Sequence, residues 1–316
     1  MPDLLLLTFS IFAAAGCSGG CCFIQNRWLL FRTPAGTKSL TRQAFQILTA
    51  VAVTCGTVAG FAVQGLRPAV PPSSALDRWL VLLLPAWLSC ELLAGCLVRR
   101  PRLLTAVRLL LAAATPAVLL FHSVHLGVMP GRPALFSMTP QGLWLLSACS
   151  VVSIVAMVRL LLPAAVPPLA RAISSTVLLH GAGMLIMLGG WIRGGAAVFP
   201  LTGACCGALA AACLLQQQWI SEAISRWAAW CLLNMVLLGH FFGRLSGVDA
   251  AGLLLAAFVL PLLVQRFPRT SPRRQAAILV LSTVVVLGGL LWIAWSQFTQ
   301  RMKPLIAAAS LQAEDN

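Results

Sequence analysis

Apolar runs of about 20 residues, the length that crosses a bilayer core as a helix, recur along the chain between short basic or proline-rich stretches. The pattern predicts ten such spans, over residues 4–24, 44–63, 79–98, 103–128, 142–162, 172–191, 196–215, 227–242, 248–264 and 276–295. The eighth and ninth are short and close together, so nine is the alternative count. No loop is long enough for a folded domain. The expected fold is an all-α integral membrane bundle, one transmembrane domain over residues 1–316 with a short polar tail at 296–316.

Composition agrees with the pattern. The chain is 59% hydrophobic and only 9% charged, where a soluble domain carries about 25% charged residues. Its mean hydropathy of +0.92 excludes an ordinary soluble protein, and the bilayer is its first partner. The net charge of +15 would suggest nucleic acid in a soluble chain. Here the basic residues sit in short loops beside spans, where they set topology, and no nucleic-acid partner is expected.

Basic residues favour the odd-numbered loops. Arg27, Arg32, Lys38 and Arg42 follow the first span, and Arg99, Arg100 and Arg102 follow the third. Arg266, Arg269, Arg273 and Arg274 follow the ninth. The positive-inside bias therefore puts odd loops in the cytoplasm and both termini outside, with a bacterial inner membrane as the expected location. Trp79, Trp144, Trp191, Trp227 and Trp295 fall at span ends, as interfacial anchors would.

The stretch "FAAAGCSGGCC", residues 12–22, looks like a lipoprotein cleavage site at Cys17. Yet no Lys or Arg precedes the apolar run, which continues past Cys17 to Ile24 before positive charge appears. An uncleaved helix is expected. Gly16 and Gly20 then form a G-x-x-x-G pair suited to close helix contact, a spacing repeated at Gly56/Gly60 and Gly203/Gly207.

Candidate chemistry is sparse. Glu91 is the only acidic residue deep in a predicted span, and an ionised carboxylate there is costly. Arg108 in the next span lies at a similar distance from the intervening turn, so an antiparallel hairpin would pair the two. Glu91, Arg108 and Asn234 are the candidate substrate or ion pathway. "FHSVHLGVM" puts His122, His125 and Met129 on one face if the helix runs on, and His180 and His240 lie in other even-numbered spans. Imidazole and thioether donors suit copper, and paired imidazoles suit haem, so these five are the candidate metal ligands.

Other motifs fail. "TPAGTKS" lacks the order of a phosphate loop. The cysteines show no C-x-x-C and read as apolar packing. No catalytic triad or carboxylate pair is legible, so the reading leans away from an enzyme. No residue pattern repeats convincingly between the two halves. Three functions stay open: transport of a small solute or ion, a non-catalytic subunit or scaffold joined to a membrane-protein partner or to copies of itself, and a haem- or copper-binding redox or assembly factor.

Overall fold

The computed structural model describes residues 4–32, 38–96, 101–121, 123, 140–161, 167–216, 218–265 and 271–314. Among these residues all regular structure is helical. The elements are α1 (Leu4–Arg32), α2 (Lys38–Val63), α3 (Ala75–Arg78), a π-helical turn (Trp79–Leu83), α4 (Leu84–Cys96), α5 (Pro101–Leu120) and α6 (Pro140–Leu161). They continue with α7 (Pro168–Leu188), α8 (Ile192–Ala196), α9 (Val198–Leu215), α10 (Gln218–Phe242), α11 (Gly247–Gln265) and α12 (Pro272–Glu314). Helices α5, α6, α7 and α12 each open on proline, whose fixed φ suits the first helical position and whose missing N–H is not needed there.

Ten of these helices are substantial, and seven stretches are long and apolar enough to cross a membrane. The seven are Leu4–Gln25, Ala44–Val63, Arg102–Leu120, Pro168–Leu188, Ile192–Leu215, Gly247–Val264 and Pro272–Gln300. The chain is a multi-pass integral membrane protein. Three predicted spans fall short of the same standard for separate reasons. The third is broken by the π turn ahead of α4. The fifth lies in α6, whose side chains are described as a continuous apolar helix only over Gln141–Ser153. The eighth belongs to a 25-residue helix whose first half carries Glu222 and Arg226.

Small residues bring α1, α2 and α9 together. A Cβ on Gly56 would stand 2.5 Å from the Ala14 carbonyl oxygen, and one on Gly60 would stand 2.9 Å from that of Ser10. On α9, a Cβ on Gly203 would lie 2.6 Å from the Ile11 carbonyl oxygen, and Gly207 abuts the backbone of Ala15. The first G-x-x-x-G pair behaves differently. Nothing lies within 4 Å of a Cβ on Gly16 or Gly20, and α1 uses Gly19 against Gly207 instead. The same spacing thus faces a helix in two cases and the periphery in the third.

Contacts also give helix direction. Residue numbers rise together where α1 meets α9 (Ile11 with Gly203, Ala15 with Gly207), so the two are parallel. Helix α2 runs against both, since Gly56 meets Ala14 and Ala204 while Gly60 meets Ser10 and Pro200. Helix α7 runs parallel to α10, with Ile186 against Gly239 and Gly189 against Gly243. It is parallel to α12 as well: Ser174 hydrogen-bonds Thr283 at 2.6 Å, and Gly181 abuts Leu287.

Helix α10 lies at the centre, packed on α7, α2, α9, α6 and α11. Ile224, Ala228, Trp230, Cys231, Asn234, Met235 and Leu238 are wholly buried on it. Two expected membrane anchors prove to be core residues: Trp79 is 0% exposed and Trp227 is 2% exposed. Trp79 packs toward Trp230 of α10 along with the buried α3 residues before it, and Trp227 lies on the central α10 itself. Trp144 and Trp295 are exposed as anchors should be.

Residues 296–314, expected as part of a polar tail, continue α12 as helix. Helix α1 runs unbroken through Cys17.

Candidate functional site: a buried ion pair beside an indole stack

The expected hairpin pairing is present. Arg108 Nε donates to Glu91 Oε1 at 3.0 Å, and Nη2 donates to Oε1 at 2.7 Å and to Oε2 at 2.8 Å. The side chains are 16% and 9% exposed for Arg108 and Glu91 respectively. A planar guanidinium matches both carboxylate oxygens at once. The antiparallel course of α4 and α5 sets this up, and a second contact keeps their register: Arg78 Nη2 donates to the Leu119 carbonyl oxygen at 3.0 Å. That carbonyl belongs to the last turn of α5, which lacks helical donors and carries partial negative charge.

One turn before Glu91, Trp87 stacks on Trp230 of α10, with ring centroids 4.8 Å apart and planes at 14°. Trp79 lies 6.5 Å from the same ring and Trp227 6.3 Å. The indole nitrogens of Trp79, Trp227 and Trp230 are buried without a hydrogen-bond partner. Asn234, one turn beyond Trp230, donates through Nδ2 to the Trp230 carbonyl oxygen at 2.7 Å, while its buried Oδ1 has no partner. The ion pair, the π turn, the indole cluster and Asn234 form one contiguous region at the interface of the third predicted span with α10.

Asp77 anchors the entrance to that span. Its Oδ2 accepts from the Ser74 hydroxyl at 2.6 Å, the Ser74 N–H at 3.0 Å and the Ser73 hydroxyl at 3.2 Å, and its Oδ1 accepts from the Ala69 N–H at 3.2 Å. Burial pushes the carboxyl pKa up, but these four donors outweigh it and hold the pKa below the ordinary value. Ser74 and Asp77 form a capping box that starts α3.

The histidines do not converge among the described residues. His180 meets Phe199 edge-on, with ring centroids 5.1 Å apart, in the middle of α7. His240, near the end of α10, has Nδ1 3.1 Å from the Leu245 carbonyl oxygen. Met184, on the face of His180, is largely turned outward, whereas Met235 is wholly buried elsewhere. Helix α5 closes at Leu120, and His122, His125 and Met129 lie outside the described residues. No group of three His, Cys, Asp or Glu side chains suited to a metal occurs among the described residues.

Two small polar groups of α7 are occupied, whereas the buried Ser18 hydroxyl of α1 has no partner among the described residues. Ser174 pairs with Thr283 across helices, and Thr176 donates to the Ala172 carbonyl oxygen of its own turn. Cys17, Cys21, Cys22, Cys55, Cys90, Cys149, Cys205, Cys206, Cys213 and Cys231 are free thiols.

No protein family, no curated protein and no solved structure matches the chain. Function therefore rests on the geometry above. Sequence reading anticipated the pairing of Glu91 with Arg108 and singled out Asn234, which is buried in α10. It missed the Trp79, Trp87, Trp227 and Trp230 cluster and the buried Asp77 and Arg78. The Ser-Ser-x-x-Asp spacing of Ser73, Ser74 and Asp77 was a usable signal for the cap.

Proposed function

We propose that the protein is a ten-pass permease for a small solute or ion, with Glu91 and Arg108 as the charged element of its pathway. The observation that carries this reading is the Glu91–Arg108 pair, joined by three hydrogen bonds, in a span that also holds a π turn. An ion pair is expensive to take out of water, and apolar residues of similar volume commonly serve stability as well or better. Ionisable groups inside membrane spans are working groups by default, and π turns recur at functional sites.

Ten passes fit the helix directions. The parallel course of α7, α10 and α12 requires one return pass between each successive pair, supplied by α9 and α11. With alternating passes, α4 and α10 run in opposite directions. Glu91, one turn from Trp87, and Asn234, one turn from Trp230, then flank the indole stack on opposite sides. Odd loops lie in the cytoplasm of a bacterial cell on this reading, and both termini lie outside.

The test is proton-coupled uptake in proteoliposomes. Glu91→Gln abolishes coupling while the protein remains folded and monodisperse; wild-type coupling in that variant overturns the proposal. A second reading, a non-catalytic subunit or scaffold, draws support from the mutual satisfaction of Glu91 and Arg108 and from the backbone-close packing of α1, α2 and α9. Stoichiometric co-purification of a membrane partner, with no flux in the wild type, would favour it.

A further inference from the structure

A separate feature lies at the far end of α7 and α10. The turn Gly189–Gly190–Trp191 and the turn Phe242–Gly243–Arg244 enclose an open cavity of about 330 Å³. It adjoins a narrower cleft lined by Ser246, Asp249 and Gln297, with Gly189 and Arg244 common to both. The aromatic wall is built in place: Trp191 and Phe242 lie 6.4 Å apart, and the Trp191 ring packs on Gly194 and Gly243.

Two opposite charges line this space. Arg244 is exposed, and its guanidinium has no partner among the described residues. Its backbone is left-handed, at φ 54°, in the position after a helix end where glycine is usual: the Leu245 N–H bonds the Gly239 carbonyl oxygen at 2.9 Å. Asp249 is buried, and its Oδ2 accepts from the Ser246 hydroxyl at 2.6 Å. Three apolar stretches and helix α10 end at this level: Pro168–Leu188 and Pro272–Gln300 finish here, Gly247–Val264 begins here, and α10 closes at Phe242. Headgroups of the surrounding bilayer stand at such a level.

We infer that this cleft binds a zwitterionic group carrying a phosphate and an ammonium, the phosphate on Arg244 and the ammonium at Asp249. A guanidinium is a strong phosphate partner. A purely anionic group meets repulsion from Asp249, whereas the zwitterion matches both charges. The chemistry occurs in a phosphatidylethanolamine headgroup and in free phosphoethanolamine.

Native mass spectrometry of the detergent-purified full chain separates these sources, using short-chain phosphatidylethanolamine, short-chain phosphatidylglycerol and soluble phosphoethanolamine as probes. Phosphatidylethanolamine binds more tightly than phosphatidylglycerol. Arg244→Asn, which keeps a residue tolerant of the left-handed backbone, and Asp249→Asn, which retains a capping side chain, each weaken it roughly tenfold, the loss of one charge-assisted contact. Melting temperatures near wild type show that both variants fold. Binding of the lipid alone assigns the site to bilayer headgroups; binding of soluble phosphoethanolamine as well assigns it to the headgroup chemistry from either source. Equal binding of the two lipids, or unchanged binding in both folded variants, overturns the inference.

Discussion

Trp87 and Trp230 stack face to face at 4.8 Å and so join the third predicted span to the central helix. Replacing either ring by alanine empties a buried space and costs about 3–5 kcal/mol, while Trp87→Phe keeps an aromatic contact and costs less. Thermal melts in detergent read the difference. Near-ultraviolet circular dichroism should lose intensity in both variants, because the coupled indoles share a rigid site. Equal melting of Trp87→Ala and wild type would show that the stack does not bind the two elements.

Glu91 and Arg108 offer a clean double-variant cycle. Either Glu91→Leu or Arg108→Leu alone leaves an unpaired buried charge, destabilising by about 3–5 kcal/mol. The double Leu variant is expected near wild-type stability, since it removes both desolvation costs. Unfolding in detergent measures all four proteins. Additive losses would mean that the pair is not coupled.

The three glycine pairs should separate sharply. Gly56→Leu and Gly207→Leu force α1 away from α2 and α9 and give aggregated or poorly expressed protein. Gly16→Ala and Gly20→Ala meet open space and stabilise α1 slightly, because alanine is the better helix former. Size-exclusion profiles of the four variants distinguish the faces; a ruinous Gly20→Ala would reveal a contact outside this chain.

Asp77 carries a pH signature. Its folded pKa lies below the unfolded value, so it adds stability that is fully present above about pH 4 and is lost as pH falls through the folded pKa. Asp77→Asn should therefore be less stable at neutral pH, by about 1 kcal/mol. The gap between variant and wild type narrows as pH falls below the ordinary carboxylate range. A gap that widens with acid would contradict the hydrogen-bonded carboxylate.

Loop placement supplies a topology test. Gly189 meets Gly243, so the turns after α7 and α10 lie at the same membrane face, and Gln216, at the far end of α9, lies at the other. Alkaline phosphatase fused after Gly190 or Arg244 should be active in a bacterial host, and a fluorescent protein fused after Gln216 should glow. The reverse pattern inverts the orientation.

Helices were legible because span length and hydrophobicity are local properties. Among the described residues each predicted run overlaps a helix, seven of them at membrane-spanning length, and the Glu91–Arg108 pairing followed from distance to a shared turn. What was not legible depends on rotation about the helix axis. Gly16/Gly20 and Gly56/Gly60 have identical spacing yet opposite surroundings, since hydrophobicity all round a membrane helix does not say which face meets protein. Trp79 and Trp227 misled for the same reason: nearness to a span end fixes depth but not facing. The π turn at Trp79–Leu83 adds a local change of phase that composition does not announce.

Helix α12 has 43 residues, roughly 65 Å at 1.5 Å per residue, against a hydrocarbon core of about 30 Å. Its apolar stretch ends at Gln300, so the helical turns from Arg301 to Glu314 continue for roughly 20 Å beyond it. The helix thus carries its backbone about four turns past the last residue of the apolar stretch without a break.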